Sequence, residues 1–420
     1  MKRILSLALV CALTLSLSGC SAGYEELTAQ PVTLSAAQLA AQEDQAPAVY
    51  DALSGFGLSL LRGAREEGNT LVSPLSAALA LAMTANGAAG DTLAQFESLL
   101  GGGASLDALN AVCSALTDRY EAPGGSTRCA IANSLWTDPE GRIRKDFIGR
   151  CQGIFDAQVL SAQLSDPGIV PALNGWVSDH TEGMIPSVVS QPFDQETAIL
   201  LVNALCLENT WRTQFEPRLT GERDFTHRDG RAERIDFLQH HSQRFPYLED
   251  EASQGVLLPY DDGQLAFFAL MPRLYPDAPD FDAWLEDLDG AQLAALIQSA
   301  QGQEEALFLR LSLPKFQAEW DGELADVLAG LGLDLAFTQG AADFSLLGDS
   351  PYGYYLSQVI HAAKIEVNEK GTKAAAATVV AGNEAAAPSP EGLELDFDRP
   401  FLYGIVDLDT GVPLFLGTFE

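Results

Sequence analysis

Residues 368–390, "NEKGTKAAAATVVAGNEAAAPSP", combine two opposing conformational preferences. The four alanines that follow Lys373 favour a helix. The threonine, valines and glycine that come next suit a β-strand or an open loop instead. A segment of this composition, about thirty residues before the last residue, is therefore expected to adopt more than one structure.

The composition is that of a globular and strongly acidic protein. The 420 residues are 47% hydrophobic, which is enough to bury a large core. With 58 acidic and 24 basic residues the formal net charge is −34, and such a field repels phosphate backbones, so nucleic acid is not expected as a partner. No internal repeat or long linker follows residue 47, and residues 47–420 are predicted to form one domain.

The N-terminal residues have the features of a secretory signal. Lys2 and Arg3 precede a mostly apolar stretch that is too short for a typical membrane-spanning helix. The end of this stretch, "LSGC" at 17–20, resembles the lipobox of bacterial lipoproteins, in which cleavage precedes a cysteine that carries a diacylglyceryl group. We therefore expect a signal peptide over 1–19, a lipid anchor at Cys20, a tether over 20–46 and an extracellular, cell-surface location. An ordinary cleavage site with a chance cysteine is the alternative.

Four further cysteines lie in the predicted domain: Cys113, Cys129, Cys151 and Cys206. Outside the cell they could form disulfides in three alternative connectivities. Their spacing is irregular, however, and Cys206 lies in an apolar run. Buried thiols are therefore favoured over a disulfide framework.

Hydrophobic patterns predict an α+β chain rather than a regular alternation of helices and strands. A buried helix is expected from Ser73-Pro74, a cap followed by proline, to Asn86-Gly87. The apolar run 198–207 predicts a central strand buried on both faces. Further strands are expected over 307–316, with Leu307, Leu309, Leu311 and Leu313 on one side, over 361–370, and in a C-terminal hairpin that turns at Asp409-Thr410-Gly411.

Signals of catalytic or metal chemistry are weak. The chain has no G-x-S-x-G motif, no H-E-x-x-H motif and no phosphate-binding glycine loop. His240 and His241 are adjacent, and in an extended chain they point to opposite faces, which is poor geometry for a shared metal ion. No catalytic residue, metal or cofactor is therefore predicted, and a hydrolase is the least favoured alternative.

The segment "NEKGTKAAAATVV" at 368–380 resembles the reactive-loop hinge of the serpin family, because glutamate, Gly-Thr and four small residues follow in the family's order. An alanine-rich match would be weak evidence alone, but further segments resemble serpins in the right order along 47–420. They are "NTLVSPLSAALALAMTANGAAGDT" (69–92), "IANSLW" (131–136), "LNGWVSDHTEGMIPSVV" (173–189), "LVNALCLENTWRTQF" (201–215), "VIHAAKIEVNEKGT" (359–372) and "DRPFLYGIVDLDTGVPLFLGTF" (398–419).

The resemblance implies a serpin fold with three β-sheets, about nine helices and an exposed reactive loop. It also implies a suicide-substrate inhibitor: a serine protease cleaves the loop and remains attached as an acyl-enzyme while the loop inserts into the main sheet as a strand. The inhibitor is expected to act as a monomer. By the same resemblance, the hinge comprises Glu369, Gly371, Thr372, Ala374, Ala375, Ala376, Ala377 and Thr378.

The alternation of side chains along the hinge agrees with insertion. Thr372, Ala374, Ala376 and Thr378 share one parity and are small, so they can enter a packed sheet. Lys373 has the other parity, where its ammonium can stay in water rather than be desolvated. This favours an inhibitory member of the family. A loop that never inserts, in a non-inhibitory binding protein of the same fold, is the alternative.

The resemblance also assigns residues beneath the opening of the sheet. Ser73, Ser76, Asn203 and His361 match the polar cluster called the shutter, and Trp211 matches the breach, where the loop first enters. Ser73 can equally be a helix cap, His361 a satisfied core histidine and Trp211 a core residue. These structural readings do not exclude the functional one, because holding two strands together is itself a packing role.

The position of the cleaved bond is inferred by counting along the loop. Fourteen residues on from Gly371, as in typical inhibitory serpins, the bond joins Ala385 to Ala386. Counting back from Arg399-Pro400-Phe401 gives a site nearer Ser389, but the inserted length must be preserved, so the forward count is preferred. Small residues here suit elastase-like or subtilisin-like proteases. Cleavage one bond earlier would instead present Glu384 to a glutamate-specific protease.

Overall fold

The computed structural model describes residues 23–420, apart from 67, 122–124, 126, 277, 304–306, 352 and 373–391. Ten α-helices occur in these residues, where about nine were expected. They are α1 (Ala36–Ala40), α2 (Ala46–Ala64), α3 (Pro74–Ala85), α4 (Gly90–Gly101), α5 (Leu106–Glu121), α6 (Lys145–Ile154), α7 (Ile169–His180), α8 (Phe281–Asp287), α9 (Gly290–Gln301) and α10 (Ala325–Leu328).

Nineteen strands, numbered in chain order, form three large sheets and one two-stranded sheet in the described residues. The seven-stranded sheet runs β1 (Glu25–Leu27), β5 (Gln158–Ser161), β3 (Arg128–Thr137), β6 (Ile199–Thr210), β16 (Gly371–Thr372), β15 (Leu356–Val367), β13 (Phe316–Glu323). The six-stranded sheet runs β2 (Thr70–Val72), β19 (Pro413–Phe419), β18 (Phe401–Asp407), β11 (Leu265–Pro272), β10 (Ser253–Pro259), β9 (Tyr247–Glu249). The four-stranded sheet runs β17 (Leu393–Asp396), β12 (Leu307–Pro314), β8 (Ala232–Phe245), β7 (Gly221–Thr226), and the pair is β14 (Gly348–Asp349) with β4 (Arg142–Ile143).

Helix α3 and strand β6 form the centre of the molecule, and both sequence predictions are confirmed. The Ser73 side chain caps α3, Pro74 occupies its first turn, and every residue of the helix is buried. Strand β6 is buried on both faces: Leu201 and Leu205 face the main core shared with α3, while Leu200 and Val202 pack under α7. The C-terminal hairpin of β18 and β19 also forms as predicted.

Strand β12 departs from the predicted alternation at its first residue. Leu309, Leu311 and Leu313 are buried, but Leu307 is 45% exposed. The pairing of β12 with β8 shifts register between Leu309 and Leu311, and Leu307 lies at the strand end, beyond the core.

Part of the predicted tether 20–46 is not a free linker. Residues 25–27 form β1, which pairs with the edge strand β5, and α1 begins at the Ser35 cap with a capping box to Gln38. Pairing with the distant strand β5 and the local capping box therefore give this polar, alanine-rich segment structure on the body of the protein. Within the described chain no single helix is long and apolar enough to span a membrane, and only the bent pair α4 and α5, at 47°, satisfies the criterion jointly.

Cys113, Cys151 and Cys206 are buried thiols, while Cys129 is half-buried. Cys113, Cys129 and Cys151 are free, and Cys206 is buried among the side chains under α7. Burial raises the pKa of Cys113 and of Cys129 to about 12, so both stay protonated at neutral pH. The described part of the chain contains no cluster of histidine, cysteine and acidic residues suited to a metal ion.

Candidate functional site

The candidate site lies between β6 and β15, at the end of β6 marked by Thr210. The space between these two strands is called the slot, and its end near Thr210 is the upper end. Here Gly371 and Thr372 form β16 and pair antiparallel with Thr210 and Asn209 of β6. Thr372 also pairs with Val367 at the end of β15. A side chain at position 371 would collide with the backbone, because a Cβ would lie 1.9 Å from the Asn209 carbonyl oxygen. The first hinge residues therefore already occupy the slot as a short strand, and glycine permits this close approach.

Below this point the slot is closed. Strands β6 and β15 pair directly and in parallel, from Leu356 opposite Ile199 to Lys364 opposite Cys206. A new strand can enter only if these two strands separate. The other residues predicted for the hinge, Ala374, Ala375, Ala376, Ala377 and Thr378, and those predicted for the reactive bond, Glu384, Ala385 and Ala386, lie outside the described residues.

The four residues predicted for the shutter, Ser73, Ser76, Asn203 and His361, meet in one buried cluster that links β6, β15 and α3. His361 lies opposite Asn203 in the strand register, and its Nδ1 is 2.8 Å from Asn203 Oδ1. Its Nε2 accepts a hydrogen bond of 2.9 Å from the backbone amide of Ser73, so the proton lies on Nδ1, which donates to Asn203. Asn203 Nδ2 in turn donates to the Ser76 carbonyl oxygen at 2.6 Å, and the Ser76 hydroxyl donates to Asn203 Oδ1.

This arrangement keeps His361 neutral. The ring is fully buried, and burial lowers the pKa of His361 to about 3. Ser73 caps α3 and also donates its hydroxyl to the Leu414 carbonyl oxygen at 2.8 Å, so the cluster reaches the six-stranded sheet as well. One hydrogen-bond network therefore contains the Ser73 cap of α3, the buried ring of His361 and the bond from His361 to Asn203 that joins β15 to β6.

Trp211 holds the chain that leads into β16. Its backbone amide donates to the Lys370 carbonyl oxygen at 2.8 Å, and its indole Nε1 donates to the Asn368 carbonyl oxygen at 2.8 Å. The indole ring stacks on Tyr260, with centroids 4.8 Å apart and planes 9° apart. The Tyr260 hydroxyl is hydrogen-bonded to the Thr372 hydroxyl. Trp211 is thus both a core residue and a direct contact of the chain that leads into the hinge.

Glu369 holds the start of the hinge in place through hydrogen bonds to its carboxylate and to its carbonyl oxygen. Its carboxylate accepts hydrogen bonds of 3.0 Å from Lys315 Nζ and from the Thr220 hydroxyl, and its carbonyl oxygen accepts one from the Phe215 amide. Partial burial alone would raise the pKa of Glu369, but the hydrogen bonds from its own backbone, Lys315 and Thr220 outweigh this and lower it.

The far end of the loop is anchored on the four-stranded sheet. Strand β17 pairs in parallel with β12, and Arg223 binds Asp396 of β17 through two hydrogen bonds of 2.8 and 3.1 Å. Arg223 also contacts the Ser312 hydroxyl on β12. Partial burial opposes ionisation of Asp396, yet the bonds from Arg223 and Ser312 lower its pKa overall. Both ends of the loop are therefore held by specific side-chain contacts.

Sequence reasoning missed Tyr260, Lys315, Thr220 and Arg223. Tyr260 stands in "LLPYDDG", between a buried strand and a turn, and lies 112 residues before Thr372. A buried phenol needs a hydrogen-bond partner, which was the available signal, but nothing local identifies that partner. The same holds for the pairs Lys315–Glu369 and Arg223–Asp396.

Comparisons with known proteins agree with this architecture. The family model described as "Serpin (serine protease inhibitor)" matches residues 51–420. Putative serpin-Z5 of Oryza sativa subsp. japonica is 32% identical, with 84% of this chain and 85% of that protein covered, and leukocyte elastase inhibitor of Equus caballus is 29% identical, with 87% and 97% covered.

Among solved structures, the thermophilic serpin tengpin in its native state superimposes with a TM-score of 0.81 at 31% identity, over 94% of this chain and 97% of that one. Tengpin in its latent state gives 0.73 at 31% identity, over 88% and 96%. The present conformation therefore resembles the native form more closely. With the family model, these similarities show that the chain belongs to the serpin family of serine protease inhibitors, which are not enzymes.

Proposed function

We propose that this serpin inhibits elastase-like or subtilisin-like serine proteases as a suicide substrate. The observation that carries the proposal is that Gly371 and Thr372 stand in the slot between β6 and β15, while the rest of the slot is closed by pairing that can be replaced. The start of insertion is thus present in the intact chain. Cleavage of the loop frees the remainder to follow.

The register of β16 supports insertion of the residues that come next. Thr372 lies opposite Asn209, and an antiparallel continuation brings Thr378 opposite Asn203 and Gly382 opposite Ile199. Partners in such a ladder share a face, so the even-numbered hinge residues would face the main core and α3. These side chains are threonine and alanine, which fit without a buried charge. Lys373 would lie opposite Glu208, on the other face.

The energy gained is large enough to trap a protease. Ten residues, from Lys373 to Gly382, would gain backbone hydrogen bonds worth about 1 kcal/mol each. The acyl bond joins the Ala385 carbonyl carbon to the protease serine oxygen, and the Ala386 amine leaves with a proton. Insertion then pulls on the acylated serine. Because an oxyanion hole tolerates little displacement, deacylation stalls.

The target class rests on the residues Ala385 and Ala386, which suit a small apolar specificity pocket, with Glu384 as the alternative site. The similarity to a leukocyte elastase inhibitor supports the same class. We also propose that a signal peptide over 1–19 directs the chain out of the cell and that a lipid on Cys20 anchors it to the cell surface, since "LSGC" resembles a lipobox.

Incubation with pancreatic elastase tests the proposal. The expected product is a complex that survives denaturing gel electrophoresis, together with a small C-terminal fragment beginning at Ala386 on mass analysis. Thr378→Arg, which would bury a charge opposite Asn203, should convert the protein into a cleaved substrate, while Thr378→Ser should still form the complex. Cleavage of the unaltered chain without complex formation and without a rise in melting temperature would identify a non-inhibitory serpin instead.

A further inference from the structure

Residues 23–34, called here the strap, are docked on the seven-stranded sheet. Strand β1 adds to the edge strand β5 in antiparallel register, with Glu25 opposite Ser161 and Leu27 opposite Val159. Beyond β1, the Ala29 amide donates to Gln152 Oε1 at 3.1 Å and the Val32 amide to the Gly149 carbonyl oxygen at 2.8 Å.

The surface beneath the strap is shaped to receive it. A Cβ at Gly149 would lie 2.4 Å from the Gln30 carbonyl oxygen, and one at Gly153 would lie 2.3 Å from that of Val32. The two glycines of α6 therefore allow the strap backbone to approach the helix closely. Tyr24 packs edge-on against Trp136, with ring centroids 5.0 Å apart.

The strap begins at the pole opposite the hinge. Through the strand registers, Glu25 lies level with Ser161, Thr137 and Ile199 at the lower end of the sheet. The hinge pairs with Thr210, at the other end of β6. The eleven residue steps from Ile199 to Thr210 span about 36 Å at ~3.3 Å each.

A lipid on Cys20 would therefore hold this lower pole close to the membrane. Three residue steps join Cys20 to Gly23, and a fully extended chain of that length spans only about 10 Å. The reactive loop would face away from the membrane, where proteases arrive. Loop insertion, however, would carry an acylated protease to the lower pole, since Gly382 would reach the level of Ile199 and Ala385 would lie about 10 Å beyond it.

Because the docked strap would hold the lower pole close to the membrane, a protease delivered to that pole would lack the space it needs. Four strand spacings, about 19 Å, separate β1 from the inserted strand. A protease of about 250 residues has a radius of gyration near 18 Å, so it does not fit between the pole and a bilayer held at about 10 Å.

We propose that the strap is a tether that stays docked on the native protein. It detaches from β5 and α6 when insertion carries the protease to the membrane side. Fifteen residues, 20–34, would then span up to about 50 Å, enough for a protease to fit. Their docking rests on a three-residue ladder and a few further contacts, which are weaker than the gain from insertion. This inference rests on the proposed function and on an anchor at Cys20.

A reversible lock on the strap tests the inference. Glu25 and Ser161 are directly opposite, so Glu25→Cys with Ser161→Cys can form a cross-strand disulfide. The oxidised chain, starting at Cys20, is coupled through that thiol to vesicles that carry a maleimide lipid, and half of the sample is then reduced and alkylated. A soluble form carries Cys20→Ser. Unaltered residues at 25 and 161, treated identically, are the matched control.

With pancreatic elastase, the locked, vesicle-bound protein should give a several-fold lower yield of covalent complex than its reduced half and release more cleaved inhibitor. The locked soluble protein should match its reduced form. Equal yields of covalent complex from the locked and the reduced vesicle-bound protein would overturn the tether role. A lock that lowers the yield in solution as much as on vesicles would overturn it too. Absence of complex in the reduced soluble form would instead overturn the proposed function, and the tether role with it.

Discussion

Acidification is expected to destabilise the native state through His361. The native pKa of about 3 is lower than the ordinary value of 6.5, so below pH 6.5 the unfolded chain binds a proton that the native chain does not. The stabilisation is complete above pH 6.5 and is lost as the pH falls. Between pH 7 and pH 5 the loss from this one residue is about 2 kcal/mol, at 1.36 kcal/mol per pH unit.

The assay is denaturant unfolding at pH 7 and pH 5 for the unaltered protein and His361→Gln. The ring lies against Ser73, Asn203 and Trp320, and burial lowers its pKa. Glutamine is neutral at both pH values, so the variant should lose about 2 kcal/mol less than the parent.

His240 is the necessary second control. Burial lowers its pKa to about 4, so it contributes with the same sign, by a smaller amount because it is partly exposed. His240→Gln should remove only that part of the pH dependence. Groups common to both proteins cancel in the comparison. If His361→Gln loses as much stability between pH 7 and pH 5 as the parent, the buried neutral histidine is not the source and the reasoning is wrong.

Three further predictions concern the ends of the loop. Tyr260→Phe leaves the buried Thr372 hydroxyl without its partner and should cost about 1–2 kcal/mol of unfolding free energy, measured by denaturant unfolding, whereas no loss would show that this bond does not hold the hinge. Lys315→Ala should weaken the hinge by about 1 kcal/mol, and a double-mutant cycle with Glu369→Gln should return most of that as coupling, while strict additivity would contradict a direct ion pair. Arg223→Ala should loosen β17 and speed the loss of elastase inhibition during storage at neutral pH; an unchanged half-life would contradict the anchor role.

Local patterns in the sequence predicted the central elements but not the contacts between them. The pair Ser73-Pro74 predicts the start of α3, because a capping side chain and an N-terminal proline both act within one helical turn. The run of apolar residues around Asn203 predicts β6, because a strand buried on both faces does not alternate apolar and polar residues. Lys315, Tyr260 and the strap leave no such signal. Their roles depend on partners tens to hundreds of residues away, and a three-residue edge strand is too short to show a period.

The residues predicted for the shutter and those predicted for the hinge should control different quantities. Insertion must first break the direct pairing of β6 with β15 and the bond between His361 and Asn203, so the shutter sets the height of the barrier. It then replaces one ladder by two, so the hinge residues that enter set the energy gained. A change at Asn203 should therefore alter the rate of spontaneous insertion with little effect on the stability of the cleaved form. A charge at Thr378 should lower the stability of the cleaved form instead. We infer that the uncleaved form persists because buried polar contacts, which are costly to break one at a time, raise the barrier to insertion.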